Sequence, residues 1–199
     1  MHRIVLSQVL RTETRRLTQW CWTLLEGKNV NLRIMEKEDL PLALEWTNTP
    51  EYSGEYNVFF QVSKADAQKG YDSLSPEEGA FWIEKKDGCK IGHVNHKPVG
   101  KAQELNYAIL PSERGKGNCS EAVKIMVDYL FLSKKIVRIP ALTDVRNGAS
   151  QKVLEKAGFM KEGVVRKEDF IRGDWRDCCL YSILKEEWKE PKILTKTEK

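Results

Sequence analysis

The chain has 199 residues, enough for one domain with a substantial core and too few for two full-sized domains. Its composition, 41% hydrophobic and 31% charged, excludes a collagen-like or largely disordered chain. No apolar run reaches the ~18 residues that a membrane-spanning helix requires, so we expect a soluble protein. The net charge of +4 is concentrated in the two tails, and the nearly neutral body argues against direct nucleic-acid binding by the domain.

The cysteines and the N-terminal residues both indicate the cellular compartment of the protein. The five cysteines are odd in number and have no C-x-x-C spacing, which predicts neither a disulfide framework nor a zinc site. The apolar run at residues 4–6 is soon interrupted by polar residues, and no small-residue cleavage site follows. We therefore expect a cytoplasmic protein.

The first predicted element is an amphipathic helix. Apolar residues recur at three- and four-residue steps over residues 4–25, and Gly27 ends the pattern. Such a terminal helix either packs on its own domain or frays, and contact with a membrane surface or a ribosome is the alternative. We expect a helical extension over 1–24, a folded domain over 25–188 and a basic tail over 189–199.

Alternating and helical patterns follow one another through the domain. A strand is predicted at 29–35, helices at 39–47 and 64–71 with an aromatic loop between them, and antiparallel strands at 80–85, 90–96 and 104–110. A helix at 116–132, a strand at 136–145, a helix at 149–157 and a hairpin of strands 160–171 and 175–184 complete the pattern. The pattern predicts an α+β or α/β domain with a mixed, mostly antiparallel sheet of six or seven strands and about four helices.

A glycine-rich turn between a strand and a helix is the most specific chemical feature. The turn reads Arg114-Gly115-Lys116-Gly117-Asn118-Cys119. Free backbone N–H groups and the positive end of a helix dipole make such a turn suitable for an anion, and a pyrophosphate fits. An ordinary helix start is the alternative, and the spacing matches neither the Walker P-loop nor the G-x-G-x-x-G fingerprint.

The turn resembles the Q/R-x-x-G-x-G/A acyl-CoA pyrophosphate motif of the GNAT superfamily of N-acetyltransferases, with Cys119 in place of a smaller final residue. Other segments resemble its ribosomal-protein N-terminal acetyltransferase branch, in family order over about residues 25–188. They are Leu25-Glu26-Gly27, Leu32-Arg33, Asp39-Leu40, Trp46-Thr47-Asn48, Asn147-Gly148-Ala149-Ser150, Leu154-Glu155-Lys156-Ala157-Gly158-Phe159, Glu162-Gly163 and Leu184-Lys185-Glu186-Glu187-Trp188.

The resemblance implies how acetyl-CoA binds. A bulge in the strand at 106–110 would splay the sheet and open a cleft for the pantetheine arm. The backbone of this strand would hold the arm, Asn147 its amide, and the glycine-rich turn the pyrophosphate. The implied cofactor-binding residues are Ile109, Leu110, Arg114, Gly115, Lys116, Gly117, Asn118, Cys119 and Asn147.

Acetyl transfer to an amine also requires a general acid and a general base. The position where many family members have a catalytic Tyr holds Leu154, so we assign the acid to Ser150, with helix capping or packing as its alternative role. Asp169 and Glu104 are the candidate bases, and a water-mediated route is a further alternative. His93 and His96 lie three residues apart on a strand and face opposite sides, so we expect no metal site.

Together these features imply transfer of acetyl from acetyl-CoA to a primary amine, first of all the N-terminal α-amine of a protein such as a ribosomal protein. A small-amine acetyltransferase acting on a polyamine, an amino acid or an aminoglycoside is the alternative enzyme. A catalytically silent acyl-CoA-binding module is the non-enzymatic alternative. We expect a monomer or homodimer that binds acetyl-CoA and a peptide or small amine, and neither nucleic acid nor a membrane.

Overall fold

The computed structural model describes residues 25–189. The helix predicted over 1–24 and nearly all of the basic tail lie outside the described residues. The strands are β1 Leu25–Glu26, β2 Val30–Ile34, β3 Gly79–Lys85, β4 Lys90–Val99, β5 Ala102–Ile109, β6 Arg138–Asp144, β7 Met160–Ile171 and β8 Asp174–Leu184. The helices are α1 Leu40–Thr47, α2 Pro50–Ser53, α3 Lys64–Asp72, α4 Asn118–Ser133 and α5 Gly148–Lys156, with 3-10 turns at Lys37–Asp39 and Pro111–Glu113.

The strands form two sheets that share no ladder. The first has the order β1-β2-β3-β4-β5 and the second β6-β8-β7, and every ladder in residues 25–189 is antiparallel. β5 and β6 lie side by side between the sheets without backbone pairing. We call this gap the seam. The predicted α+β class and the splayed, mostly antiparallel arrangement are confirmed.

Three local differences from the sequence prediction have simple causes. Leu25 does not belong to a helix: it pairs with Leu32 in the short edge strand β1, which raises the strand count to eight. β4 and β5 extend up to the tight turn at Gly100, whose φ of 59° suits glycine. The aromatic loop contains α2, whose first residue is Pro50 and whose Tyr52 is buried.

The cleft opens without the bulge that the resemblance implies. The register of β4 with β5 runs without a shift from Gly92↔Ile109 to Val99↔Ala102. The two backbones come so close that a Cβ at Gly92 would lie 2.3 Å from the carbonyl oxygen of Ala108. The seam therefore lies between the facing edges of β5 and β6, which form no ladder, while β6 pairs with β8 along its other edge.

One apolar core joins both sheets beneath the seam. The inward face of α4 contributes Ala122, Ile125, Met126 and Leu130, all fully buried. They belong to a cluster that includes Val94 of the first sheet and Ile139 and Cys179 of the second. The helical period read from the sequence placed these α4 residues on one face. The opposite face of the first sheet carries α1, where Trp46 packs edge-on against Trp82 with ring centroids 5.1 Å apart.

Candidate active site

The glycine-rich turn has the geometry that an anion site requires. Gly115 and Gly117 have φ values of 77° and 86°, a left-handed conformation that side chains with a Cβ rarely adopt. A Cβ at either position would meet no atom within 4 Å, so the space beside both glycines is open. Gly117 immediately precedes α4, and the free N–H groups of the first helical turn lie at that end. These residues fit a pyrophosphate.

The two charged side chains of the turn lie next to other groups of the protein. Lys116 is paired with Glu113 at 3.2 Å and remains half exposed. The Arg114 guanidinium lies beside Gly54, whose added Cβ would be 3.6 Å from Nη2. Asn118 begins α4 and Cys119 is buried in its first turn, where burial raises the pKa of the thiol to about 12. Cys119 is therefore a packing residue that stays protonated at neutral pH.

Of the two residues predicted to bind the pantetheine arm through their backbone, the structure favours Ile109. The N–H of Leu110 donates to the carbonyl of Ile91 at 2.9 Å, and its carbonyl accepts from Glu113. Both backbone groups of Leu110 are thus already used. Because backbone groups of successive strand residues point to opposite edges, those of Ile109 point towards the seam.

A pair of hydroxyl groups crosses the seam on the side of α4 and α5. The Ser150 Oγ lies 2.9 Å from the phenol oxygen of Tyr107, which also contacts the Ser150 carbonyl at 3.2 Å. Burial raises the pKa of Tyr107, so the phenol is protonated at neutral pH. The cap of α5 is Asn147, whose Oδ1 accepts from the Ser150 N–H at 3.0 Å. Ser150 therefore does not cap α5, and its hydroxyl reaches the strand beside the seam.

The two candidate bases lie on different elements. Glu104 is on the face of β5 opposite to Tyr107, in an ion pair with Lys97 at 3.2 Å. Asp169 is half-buried on β7 and accepts a hydrogen bond from the Cys178 thiol at 3.5 Å. Cys178 is paired in the ladder with Asp144, the last residue of β6. Asp169 is thus linked through β8 to the strand that borders the seam, whereas Glu104 has a cationic partner of its own.

Burial and the neighbouring carboxylate raise the pKa of the Cys178 thiol. Burial first, and then Asp169, raise the pKa of its thiol to about 12. Tyr181 on the same strand faces α5 and contacts Glu155 at 3.1 Å; burial first, and then Glu155, raise its pKa to about 12. Both groups have carboxylate neighbours and remain protonated at neutral pH.

A tyrosine–histidine pair that no sequence motif indicates lies on the outer face of the first sheet. The Tyr52 hydroxyl lies 2.7 Å from Nδ1 of His93, and the ring of Tyr52 also packs on Trp46. Burial lowers the pKa of His93 to about 4 and raises that of Tyr52, so both are neutral at pH 7. His96 faces the other side of β4, where it contacts Gln103 at 2.9 Å. The predicted opposite orientation of the two histidines is confirmed.

Acidification should destabilise the fold through these histidines. Burial lowers the pKa of both His93 and His96 below the usual 6.5, and that of His93 to about 4, so at His93 the unfolded chain binds more protons between pH 6.5 and about 4. The free energy of unfolding should therefore fall as the pH decreases through this window, by at most ~1.4 kcal/mol per pH unit for each group. Urea unfolding at pH 7 and pH 5 measures this loss, and a His93→Gln variant should lose less. An equal loss in both proteins would contradict the role of His93.

Within residues 25–189, no group of three His, Cys, Asp or Glu side chains is arranged to hold a metal ion. No helix in that range is both long and apolar enough to cross a membrane.

Comparison with known proteins identifies the family. Residues 29–160 match the acetyltransferase (GNAT) domain family. The uncharacterized N-acetyltransferase p20 of Bacillus licheniformis is 32% identical over 82% of this chain and 97% of its own length. The probable N-acetyltransferase YjcK of Bacillus subtilis is 45% identical over 80 residues, which are 40% of this chain and 44% of that protein.

Two further relatives have names that state a substrate. The putative ribosomal N-acetyltransferase YdaF of Bacillus subtilis is 24% identical over 83% of this chain and 97% of its own length. The spermidine N(1)-acetyltransferase of Escherichia coli is 27% identical over 80% of this chain and 88% of its own length.

A solved structure shows the same fold. The ribosomal-protein-S5-alanine acetyltransferase of Vibrio fischeri superposes with a TM-score of 0.70 at 24% identity, over 83% of this chain and 98% of that chain. With the family match over residues 29–160 and the relatives above, this chain belongs to the GNAT family and is an acetyl-CoA-dependent N-acetyltransferase.

Proposed function

We propose that the acceptor is the N-terminal α-amine of a protein, and that residues 25–188 form the catalytic domain. The observation that supports this choice is exposed apolar surface in two segments that the hydrogen bond from Arg172 to the Gly54 carbonyl brings together, the loop after α2 and the β7–β8 turn. Val58, Phe59 and Phe60 are exposed in the loop after α2, and Phe170 and Trp175 are exposed beside the β7–β8 turn. An amine that is part of a peptide has neighbouring side chains to pack on such surfaces.

The catalytic assignment in this proposal follows the contacts across the seam. Ser150 protonates the departing thiolate of CoA, and Tyr107 supplies the hydrogen-bonded proton reservoir behind it. Asp169 is the preferred base for the ammonium group, because Glu104 is already paired with Lys97. The turn from Arg114 to Cys119, with Ile109 and Asn147, binds acetyl-CoA. Ile109 contributes its backbone groups, and Asn147 contributes the amide nitrogen that α5 capping does not use.

A small amine is the second candidate, and charge supports it. Glu51 and Glu55 are exposed on α2 and just after it, and such carboxylates suit a polycation as well as a peptide amine. The spermidine-acetylating relative acts on a substrate of this class. A polyamine, however, offers no apolar side chain for Phe59, Phe60, Phe170 and Trp175.

A turnover screen tests the proposal. The purified protein is given acetyl-CoA with peptides that have free N-termini, with N-terminally blocked copies of the same peptides, and with spermidine and an aminoglycoside. Thiol release measures the rate and mass spectrometry locates the acetyl group. We expect turnover of the free peptides only. Faster turnover of spermidine, or acetylation of the blocked peptides on lysine, would overturn the α-amine assignment.

A further inference from the structure

A short loop crosses the seam on the face opposite to the Tyr107–Ser150 pair. This bridging loop, residues 54–56, follows α2 directly. It starts from the first sheet, because Tyr52 of α2 is buried and hydrogen bonded to His93 of β4. Besides Arg114, which lies beside Gly54, it is contacted by two connections of the second sheet, the β7–β8 turn and the β6–α5 connection. The bridging loop therefore joins the two sheets where no ladder does.

The first contact is a hydrogen bond from the β7–β8 turn. Arg172 Nη2 donates to the carbonyl oxygen of Gly54 at 3.0 Å, across 118 positions of sequence. Arg172 and Gly173 have φ values of 51° and 87°, the left-handed pair of a two-residue hairpin turn. The rings of Phe170 and Trp175 pack beside the turn with centroids 5.5 Å apart. The Arg172 guanidinium thus projects from a hairpin turn that is held in place by the packing of Phe170 on Trp175.

The second contact is made by Arg146, in the connection between β6 and α5. Its guanidinium carbon lies 5.8 Å from the ring centroid of Tyr56. Two nitrogens of the same guanidinium bind both carboxylate oxygens of Asp144, at 3.1 and 3.0 Å. Asp144 has a side chain that is 1% exposed, so Arg146 is fixed by a buried partner. The ring of Tyr56 therefore rests on a guanidinium with little freedom to move.

The position of the bridging loop relates it to the reaction. α4, α5 and the shared core cover the inner face of the seam, so an amine has to approach a thioester held in the seam from the outer face. That is the face that the bridging loop crosses. We propose that Arg172 is a positioning residue that fixes the bridging loop through Gly54, and that the ordered loop forms one wall of the acceptor site. This inference rests on the proposed acetylation of an amine.

The test removes the guanidinium and preserves the turn. Arg172→Asn is the sharpest variant, because Asn-Gly is a preferred pair for this type of hairpin turn and the shorter side chain no longer reaches Gly54. Arg172→Lys retains a charged donor and should restore part of the function. Tyr56→Leu removes the second contact and leaves the Asp144–Arg146 pair intact. Arg138→Gln is the control, since Arg138 pairs with Glu162 near the far end of β6.

Two readouts separate this inference from the proposed function. The first is steady-state kinetics with a peptide carrying a free N-terminal alanine, or with spermidine if that is the amine which the wild-type enzyme acetylates. We expect about a tenfold higher KM for the amine in Arg172→Asn, the loss expected for one charge-assisted hydrogen bond. kcat and the Kd of acetyl-CoA should be unchanged. An unchanged KM for the amine, or a parallel loss of acetyl-CoA binding, would overturn the assignment to the acceptor site.

The second readout needs no acceptor: it is amide hydrogen exchange in the free protein at Gly54 and Val62, whose N–H groups donate to the Pro50 carbonyl and to Asn48 Oδ1. Exchange should be faster in Arg172→Asn and Tyr56→Leu than in wild type and Arg138→Gln. If the wild-type enzyme turns over no amine, the proposed function fails, and exchange alone then decides whether Arg172 orders the loop. Equal exchange rates in all four proteins would overturn the inference.

Discussion

Ser150→Ala should lower kcat by a factor of ~10²–10⁴, the usual contribution of a positioned general acid, with little change in the KM for acetyl-CoA. The departing thiolate needs a proton, and the Ser150 hydroxyl sits beside the seam in contact with a protonated phenol 2.9 Å away. Burial raises the pKa of Tyr107, so that phenol still holds its proton at neutral pH; it can donate this proton to Ser150 as Ser150 donates its own to the thiolate, and water then returns a proton to the phenol. Steady-state kinetics with varied acetyl-CoA measures both parameters.

Two further variants identify what Ser150 does. Tyr107→Phe should also lower kcat if the phenol supplies the proton through Ser150. Ser133→Ala is the matched control, since it removes a hydroxyl at the end of α4 that donates to the Tyr129 carbonyl, away from the seam. A rise in the KM for acetyl-CoA with kcat intact would assign Ser150 to cofactor binding. Wild-type kinetics in Ser150→Ala would assign the hydroxyl to packing against Tyr107.

Gly117→Val should weaken acetyl-CoA binding at least tenfold, a loss of ~1.4 kcal/mol. Gly117 has a φ of 86°, which a β-branched residue strongly disfavours, and its missing side chain leaves open the space beside the first turn of α4. A valine would place methyl groups where phosphate oxygens approach the backbone N–H groups. Isothermal titration of acetyl-CoA into the folded variant measures the change in Kd.

Gly100→Val separates the loss of binding from general backbone strain. Gly100 also has a left-handed φ, 59°, and open space around it, but it lies in the turn at the opposite end of β4 and β5. Both variants should lose stability in urea, and only Gly117→Val should lose affinity for acetyl-CoA. Equal Kd values for the two folded variants would remove the pyrophosphate assignment from the turn.

The features that could be predicted from sequence are those encoded by neighbouring residues. The glycine-rich turn was identifiable because both glycines, the cations and the helix start lie within six positions. Strand and helix periodicity located β3, β4 and α4 within a few residues, because a half-buried strand and a helix with one buried face each have a fixed period. Ser150 was found through a short pattern that also contains the α5 cap residue Asn147.

The features that could not be predicted depend on register and on contacts between distant segments. Tyr52 and His93 are 41 positions apart and meet only because α2 packs on β4. Leu110 was assigned to the pantetheine arm, yet strand register directs its N–H to Ile91, and the 3-10 turn that follows directs the Glu113 N–H to its carbonyl. The side chain of Arg114 turns towards Gly54, and nothing in the local sequence indicates that direction.

The seam implies that bound acetyl-CoA stabilises the fold of the enzyme. Along β5, the backbone N–H and carbonyl groups that face β6 have no ladder partner, and such groups need water or another partner to satisfy their hydrogen bonds. A pantetheine arm lying there would supply the hydrogen bonds of a missing strand, and the two sheets would become one continuous layer only while acetyl-CoA is bound. The cofactor is then a structural part of the fold, and its concentration should set the melting temperature through the ordinary mass-action dependence on ligand.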